Sequence, residues 1–463
     1  MTLIKSISGI RGLVKNSSET CLSPDVIVKY TNLFGSWIKS NQTKNGTLSI
    51  IIARDGRPSG LLIANLIIST LQMMGFKVID LGLSTTPTAQ LAIIHEKCNG
   101  GIMISASHNP IEWNGLKLLN NLGEFLSPVQ SEQVFNFVSN NFILSNNILP
   151  EPVLKRDYLN HHINAILNLK DVDLDIIKKK KFKVVVDGIN SSGGLYVPFL
   201  LKSMGVEVVE LNCVPDGLFA HHPEPKSVNL SHLSELVVKS NADLGIAIDP
   251  DVDRLVLVCE DGSFFGEEYT IVSIAKFILS KYKKASVVSN LSTTKALEDV
   301  ALELGAEHFS SAVGEINVVE LMKNKKSIIG GEGSGGIIFP ELHFGRDALV
   351  GIALFLTYIA TLDKTAKELK RSLPYYYMLK EKINVSSKFD LSMFIDRKIK
   401  YCKQNHYQFT LIDGLKIKYN CGGWVHIRSS NTEPIIRVIS ESESKKKCLD
   451  QLHNIINSIK ITE

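Results

Sequence analysis

The sequence predicts an α/β protein: three related α/β domains with mainly parallel, mixed sheets, followed by a smaller C-terminal α+β domain. Three observations carry this reading. A unit of strand, polar loop, helix, glycine and strand occurs three times. The strands in each copy are near-continuous apolar runs, as expected where helices cover both faces of a sheet. The segment after Pro374 drops the glycine punctuation and reads as alternating strands closed by a helix.

The first copy runs LSIIIARDGRPSG, LLIANLIISTLQMM and GFKVIDLG; the second KVVVDGINSSGG, LYVPFLLKSM and GVEVVELN; the third SVVSNLSTT, KALEDVALEL and GAEHFSSAVG. Gly75, Gly205 and Gly305 fall where a helix C-terminal glycine is expected. In the tail, YYYMLKEKINV, LKIKYN, GWVHIRSS and PIIRVISES read as strands and KKKCLDQLHNIINSIK as the closing helix. Breaks near EPVLKRDY, after Arg254 and near LKRSLPYY place the domains at 1–150, 151–254, 255–372 and 373–463. A chain of 463 residues is long enough for such an arrangement at roughly 100–200 residues per domain.

Composition narrows the function class. The formal charge of +4 is small for this length and calls for no nucleic-acid or membrane partner. No apolar run reaches the ~18 residues of a spanning helix, and the N-terminus has no signal-peptide core. Seven cysteines with no CxxC pair argue against a disulfide framework and a structural zinc site. A cytoplasmic location is expected.

Four loops could carry chemistry. Ser105-Ala106-Ser107-His108-Asn109-Pro110 follows the apolar run GIMI, so Ser107 sits at a strand end beside His and Asn, as a nucleophile could. Taken alone, the same residues fit an unreactive Ser/Asn turn. Asp249-Pro250-Asp251-Val252-Asp253-Arg254 lies between two strands. Carboxylates at alternate positions repel one another unless a cation sits among them, and oxygen ligands favour Mg²⁺ or Ca²⁺. An EF-hand is excluded because Arg254 stands where its invariant glycine belongs. Gly330-Gly331-Glu332-Gly333-Ser334-Gly335-Gly336 contains GxGxxG, but strand-like IIFP follows where a dinucleotide site needs a helix. It suits a backbone-rich loop that offers Glu332 and Ser334 to hydroxyls. Arg428-Ser429-Ser430-Asn431-Thr432-Glu433-Pro434, with Arg437 beyond, fits a phosphate cradle or a polar hairpin turn.

Together and in this order, the four loops resemble those of the α-D-phosphohexomutase superfamily, which includes phosphoglucomutase, phosphomannomutase and phosphoglucosamine mutase. The resemblance covers essentially the whole chain. Ser8-Gly9-Ile10-Arg11-Gly12, Arg54-Asp55-Gly56-Arg57, Asn114-Gly115-Leu116-Lys117, PDGLFAHHPEP and Val313-Gly314 add to it. It implies that the last domain is of the TATA-binding-protein-like type. It implies a resting phosphoserine at Ser107, and one Mg²⁺ bound by Asp249, Asp251, Asp253 and the Ser107 phosphate. Arg11 and Lys117 would flank the phosphoserine and Arg254 would offset charge, with Lys117 or His108 as proton carrier. Glu332, Ser334 and Gly314 would bind the sugar, and Arg428, Ser430, Asn431 and Thr432 its phosphate. The implied reaction interconverts a hexose 1-phosphate and 6-phosphate through a hexose 1,6-bisphosphate. The sugar loop departs from the GExSGH form common in enzymes acting on glucose or mannose phosphates: Gly336 stands at the His position and His343 is the nearby imidazole. GGEGSGG, VGEINV and GRDALVGIALF resemble the glucosamine-phosphate branch more closely. An aspartate-nucleophile phosphatase or a non-catalytic sugar-phosphate-binding module would leave the serine and phosphate loops unexplained.

Overall fold

The computed structural model describes residues 3–7, 9–14, 21–41, 46–137, 151–386, 389–420, 422–429 and 435–462. The chain forms two compact units, one of residues 1–270 with 335–369, the other of residues 271–334 with 370–463.

In the first unit a seven-stranded sheet takes the order Ile4–Ser6, Gly9–Leu13, Trp113–Leu119, Gly100–Ile104, Ser49–Arg54, Lys77–Leu83, Leu154–Lys155. The strands of the repeated unit pair in parallel, whereas Gly100–Ile104, Trp113–Leu119 and Gly9–Leu13 pair antiparallel. A second sheet orders Leu255–Cys259, Leu244–Ile248, Lys183–Asp187 and Glu207–Leu211. Two expected boundaries move as a result. Leu154–Lys155 pairs with the first sheet, so that sheet extends past residue 150. Leu255–Cys259 forms a hairpin with Leu244–Ile248, so the second sheet continues past Arg254. An acidic loop between two apolar strands is a hairpin connection, and a hairpin does not divide between domains.

Helix Ala348–Leu362 is apolar all round, and its residues from Ala348 to Ala360 are buried. A helix of that kind belongs inside a core, and it packs against helices Leu159–Leu167 and Leu174–Lys180. Asp347 caps its first turn through Leu349 N and Val350 N.

In the second unit, Glu307–Ser311, Ser286–Asn290 and Ile329–Glu332 pair in parallel. The C-terminal sheet is antiparallel, in the order Tyr377–Asn384, Ile435–Ser442, Trp424–Ser429, Leu415–Lys418, Gln408–Thr410. Helices Leu391–Gln404 and Lys445–Thr462 accompany it.

The threefold repeat has one local cause. After helices Gly60–Met73, Gly193–Ser203 and Ala296–Glu303, the glycines at 75, 205 and 305 take φ of +80°, +77° and +66°. Each lets the next residue's N–H reach back into the helix, as in Phe76 N to Leu71 O at 3.0 Å, Val206 N to Leu201 O at 3.0 Å and Ala306 N to Ala301 O at 2.8 Å. Among the described residues no helix is long and apolar enough to cross a membrane, and six cysteines are free thiols.

Candidate active site

The first unit gathers the serine loop, the acidic loop and four basic side chains from elsewhere in the chain. Ser107 follows strand Gly100–Ile104 and has φ of +49°, a left-handed conformation that a serine adopts only when its surroundings impose it. The surroundings are specific. Arg57, fully buried, donates from Nη2 to the carbonyls of Ser107 at 2.5 Å and Asn109 at 2.7 Å. It donates from Nη1 to those of Pro110 at 2.6 Å and Trp113 at 2.9 Å. Its Nε pairs with Asp55 Oδ2 at 3.1 Å, and the same oxygen accepts from Ser105 Oγ at 2.7 Å. Ser105 Oγ in turn accepts from Ser107 N at 2.9 Å. The Arg54–Arg57 tetrad is therefore the mould of the serine loop. Reading the sequence attached no role to it.

Ser107 Oγ donates to Asp249 Oδ2 at 2.7 Å and lies 3.3 Å from His108 Nδ1. Asp249 Oδ1 accepts from the backbone N–H groups of Asp253 and Arg254, each at 3.1 Å, which closes the acidic loop on itself. Val252 at its tip has φ of +64°, rare for a β-branched residue. Lys117, on the strand antiparallel to the one preceding Ser107, donates to Asp251 Oδ2 at 2.5 Å and Asp253 Oδ2 at 3.2 Å. Thr86 hydrogen-bonds Asp251 through its hydroxyl and its backbone N–H. Arg254 stands 3.9 Å from Asp253 Oδ1, and Arg11 donates to Asn109 Oδ1 at 3.0 Å. A small cavity of about 70 Å³ opens at Ser107, with Arg11, Lys117 and Ser105 in its walls.

The carboxylates of Asp249, Asp251 and Asp253 are buried, and one oxygen from each lies within 4.8 Å of the others. Asp251 Oδ1 and Asp253 Oδ1 have no hydrogen-bond partner among the described residues. Buried carboxylate oxygens without donors are costly, and an all-oxygen set of this kind fits a hard divalent cation. The electrostatics agree. Burial, then the charges of Asp253 and Asp251, push the Asp249 carboxyl upward. At Asp253 burial is outweighed by Arg346, Lys117 and Arg254, which hold that carboxyl well below its usual range. Burial disfavours charge on Lys117, but Asp251 and Asp253 more than offset it and keep the ammonium protonated. His108 goes the other way: burial, then Arg254 and Arg11, hold its imidazole well below the ordinary value, so it is neutral at physiological pH.

The second unit gathers the remaining expected groups that lie within the described residues. Glu332 Oε1 accepts from Asn290 Nδ2 at 2.7 Å and from Gly314 N at 3.1 Å, and Ser334 is half-buried in the turn beyond. Arg428 lies directly opposite Arg437 across the strand pair Trp424–Ser429 and Ile435–Ser442. Two facing guanidinium groups repel, and burial followed by Arg437 lowers the pKa of Arg428, with Asp413 and Glu332 opposing. Arg428 Nε is buried without a hydrogen-bond partner among the described residues. An anion at that position would answer both features. Ser430, Asn431 and Thr432 lie outside the described residues.

His343 does not join the Ser107 cluster. Its Nε2 lies 3.3 Å from Asp347 Oδ2, an oxygen also reached by His162 Nε2 at 2.9 Å. Sequence reasoning missed Arg346, which donates to Asp253 Oδ2 at 2.8 Å. Its signal in the sequence is an arginine beside the capping aspartate in GRDAL.

Four family models match in chain order. They are the phosphoglucomutase/phosphomannomutase α/β/α domains I, II and III over residues 3–142, 157–262 and 266–377, and the C-terminal domain over 385–458. The chain is 35% identical over 447 residues to a phosphoglucomutase/phosphomannomutase of Thermococcus kodakarensis, covering 96% of this chain and 95% of that protein. It is 31% identical over 466 residues to a probable phosphoglucosamine mutase of Pyrococcus horikoshii, covering 98% and 97%. Its fold matches a phosphoglucomutase/phosphomannomutase family protein of Burkholderia thailandensis with a TM-score of 0.85 at 25% identity, over 100% of this chain and 98% of that one. The serine loop, the acidic loop and the four matched domains agree, and the chain belongs to the phosphoglucomutase/phosphomannomutase family of phosphohexose mutases.

Proposed function

We propose that this chain interconverts glucosamine 6-phosphate and glucosamine 1-phosphate through a phosphoserine at Ser107. The observation that carries the reaction is the pairing of Ser107 Oγ with Asp249 at 2.7 Å, beside carboxylate oxygens of Asp251 and Asp253 that lack donors. A Mg²⁺ held by Asp249, Asp251, Asp253 and the Ser107 phosphate would supply charge compensation for the phosphoryl group.

In the forward half-reaction the free sugar hydroxyl oxygen forms a bond to the Ser107 phosphorus as the Ser107 Oγ–P bond breaks. The sugar hydroxyl loses its proton and Ser107 Oγ gains one, giving a hexose 1,6-bisphosphate. The bisphosphate turns end over end. Ser107 Oγ then bonds the other phosphorus, the sugar O–P bond breaks, and the proton passes back. Neutral His108, 3.3 Å from Ser107 Oγ, is suited to carry that proton. The Lys117 ammonium, held protonated by Asp251 and Asp253, adds fixed positive charge. Arg11 and Arg254 add positive charge near the transferred group. Glu332, Ser334 and the Gly314 backbone read sugar hydroxyls. Arg428, Ser430, Asn431 and Thr432 take the phosphate that is not reacting.

The preference for glucosamine rests on the sugar loop with Gly336 and on similarity to probable phosphoglucosamine mutases at 29–31% identity. Mannose and glucose phosphates are the second reading, favoured by the name of the 35% identical relative. The family's hexose phosphates and free thiols among the described residues fit a cytoplasmic enzyme. Assay of glucosamine, glucose and mannose phosphates side by side tests the choice. A kcat/KM highest on glucosamine phosphate is expected; a higher value on either other sugar overturns it.

A further inference from the structure

Gly336 and Arg346 share one volume. A Cβ at residue 336 would stand 2.3 Å from Arg346 Cδ and 3.0 Å from its Cγ. For a Cβ to fit there that stem must shift, and its guanidinium is the group that holds Asp253 Oδ2 at 2.8 Å. The backbone around Arg346 is fixed on both sides. Arg346 bridges Ile338 as an isolated antiparallel pair, and Asp347 N donates to Ile337 O at 2.8 Å. Ala348 N donates to Val252 O at 3.2 Å, which ties this segment to the acidic loop itself. Asp347 is clamped by His162 and His343 through Oδ2, and caps the buried helix through Oδ1. The two histidines thus anchor the residue next to Arg346.

We propose that Arg346 is a positioning residue for phosphoryl transfer, filling the space opened by Gly336 and gripping one oxygen of Asp253. The inference rests on the Ser107 reaction described above. Lys117 and Arg346 both bind Asp253 Oδ2, so the oxygen left without a hydrogen bond is Oδ1. Without Arg346 that oxygen keeps only Lys117, at 3.2 Å, and the carboxylate is freer to turn about its terminal torsion, which is soft. A misplacement of that kind in a charge-compensating site costs rate and leaves distant substrate contacts intact. The planar fork sets direction as well as charge, so lysine replaces it only in part. The glycine at 336 then has a purpose of its own: any side chain there evicts Arg346 from Asp253.

The test compares wild type, R346A, R346K, G336A and the double variant G336A/R346A. The readouts are steady-state kcat and KM, the rate at which intact mass records phosphoryl loading of the chain from glucose 1,6-bisphosphate, and the thermal midpoint. R346A should lose roughly hundredfold in kcat and in loading rate, with KM within about twofold. R346K should recover part of that loss. G336A should resemble R346A, and the double variant should be no worse than R346A, because the two positions contest one volume. If R346A fails to fold, R346K and G336A carry the comparison. Wild-type loading and kcat in R346A, or in G336A with R346K unimpaired, would overturn the proposal, as would fully additive losses in the double variant. A wild-type chain that takes up no phosphoryl group would instead remove the Ser107 reaction, and the role of Arg346 with it.

Discussion

Arg57 holds the backbone of the serine loop, so its replacement should cost both stability and rate. The residue is 1% exposed and its side chain donates five hydrogen bonds, four of them to carbonyls of residues 107, 109, 110 and 113. At about 1.5–3 kcal/mol for each charge-assisted bond, simple addition would consume most of the ~5–15 kcal/mol that holds a domain folded. Addition fails because the bonds act as one unit. The better measure is a buried ion pair broken from one side, about 3–5 kcal/mol, since Asp55 stays behind, fully buried. Arg57→Ala should therefore lower unfolding free energy by roughly 3–5 kcal/mol in urea titrations. Arg57→Lys keeps one charge and loses the fork, and should cost about 1–3 kcal/mol. In both variants Ser107 loses the grip that holds it at positive φ, so kcat should fall by at least about tenfold in protein that is still folded. An Arg57→Ala chain within about 0.5 kcal/mol of wild type, with unchanged kcat, would refute the view that this guanidinium builds the serine loop.

Asp251→Asn should weaken Mg²⁺ dependence and lower turnover, and full activity of the wild type in excess chelator would rule the acidic site out. The raised Asp249 carboxyl, at about 8, keeps its proton through neutral pH in the metal-free protein, so Mg²⁺ must displace that proton. Affinity should accordingly rise with pH and level off above about 8, and calorimetry in buffers of different ionisation heat should record proton release at neutral pH. No release would contradict the assignment. Arg428→Ala should raise KM by roughly tenfold or more, from about 2–5 kcal/mol of lost charge pairing. Arg428→Lys should fall between, and unchanged affinity for both the 1-phosphate and the 6-phosphate would place the phosphate elsewhere.

Much of this was legible in the sequence because the physics is local. Gly75, Gly205 and Gly305 announce three helix ends that need positive φ, and the apolar runs beside them announce covered strands. Alternate aspartates between two strands announce a cluster of carboxylates that could hold a cation, and the three do lie together. What stayed hidden depends on contacts between residues distant in the chain. Arg57 meets Ser107 across 50 residues and Arg346 meets Asp253 across 93, and no periodicity encodes either pairing. The hairpin that carries the second sheet past Arg254 was hidden for a related reason, since strand partners are chosen by the sheet. The helix Leu391–Gln404 escaped too, because its polar, lysine-rich sequence lacks the glycine that marks the others.

The central claim is that Ser107 carries the phosphoryl group. Intact-protein mass after incubation with a hexose 1,6-bisphosphate and Mg²⁺, followed by peptide mapping, tests it most directly. The account predicts one added phosphoryl group, on Ser107, lost again when hexose monophosphate is supplied and absent in Ser107→Ala. A phosphoryl group on another residue, or Ser107→Ala turning over substrate at the wild-type rate, would contradict it.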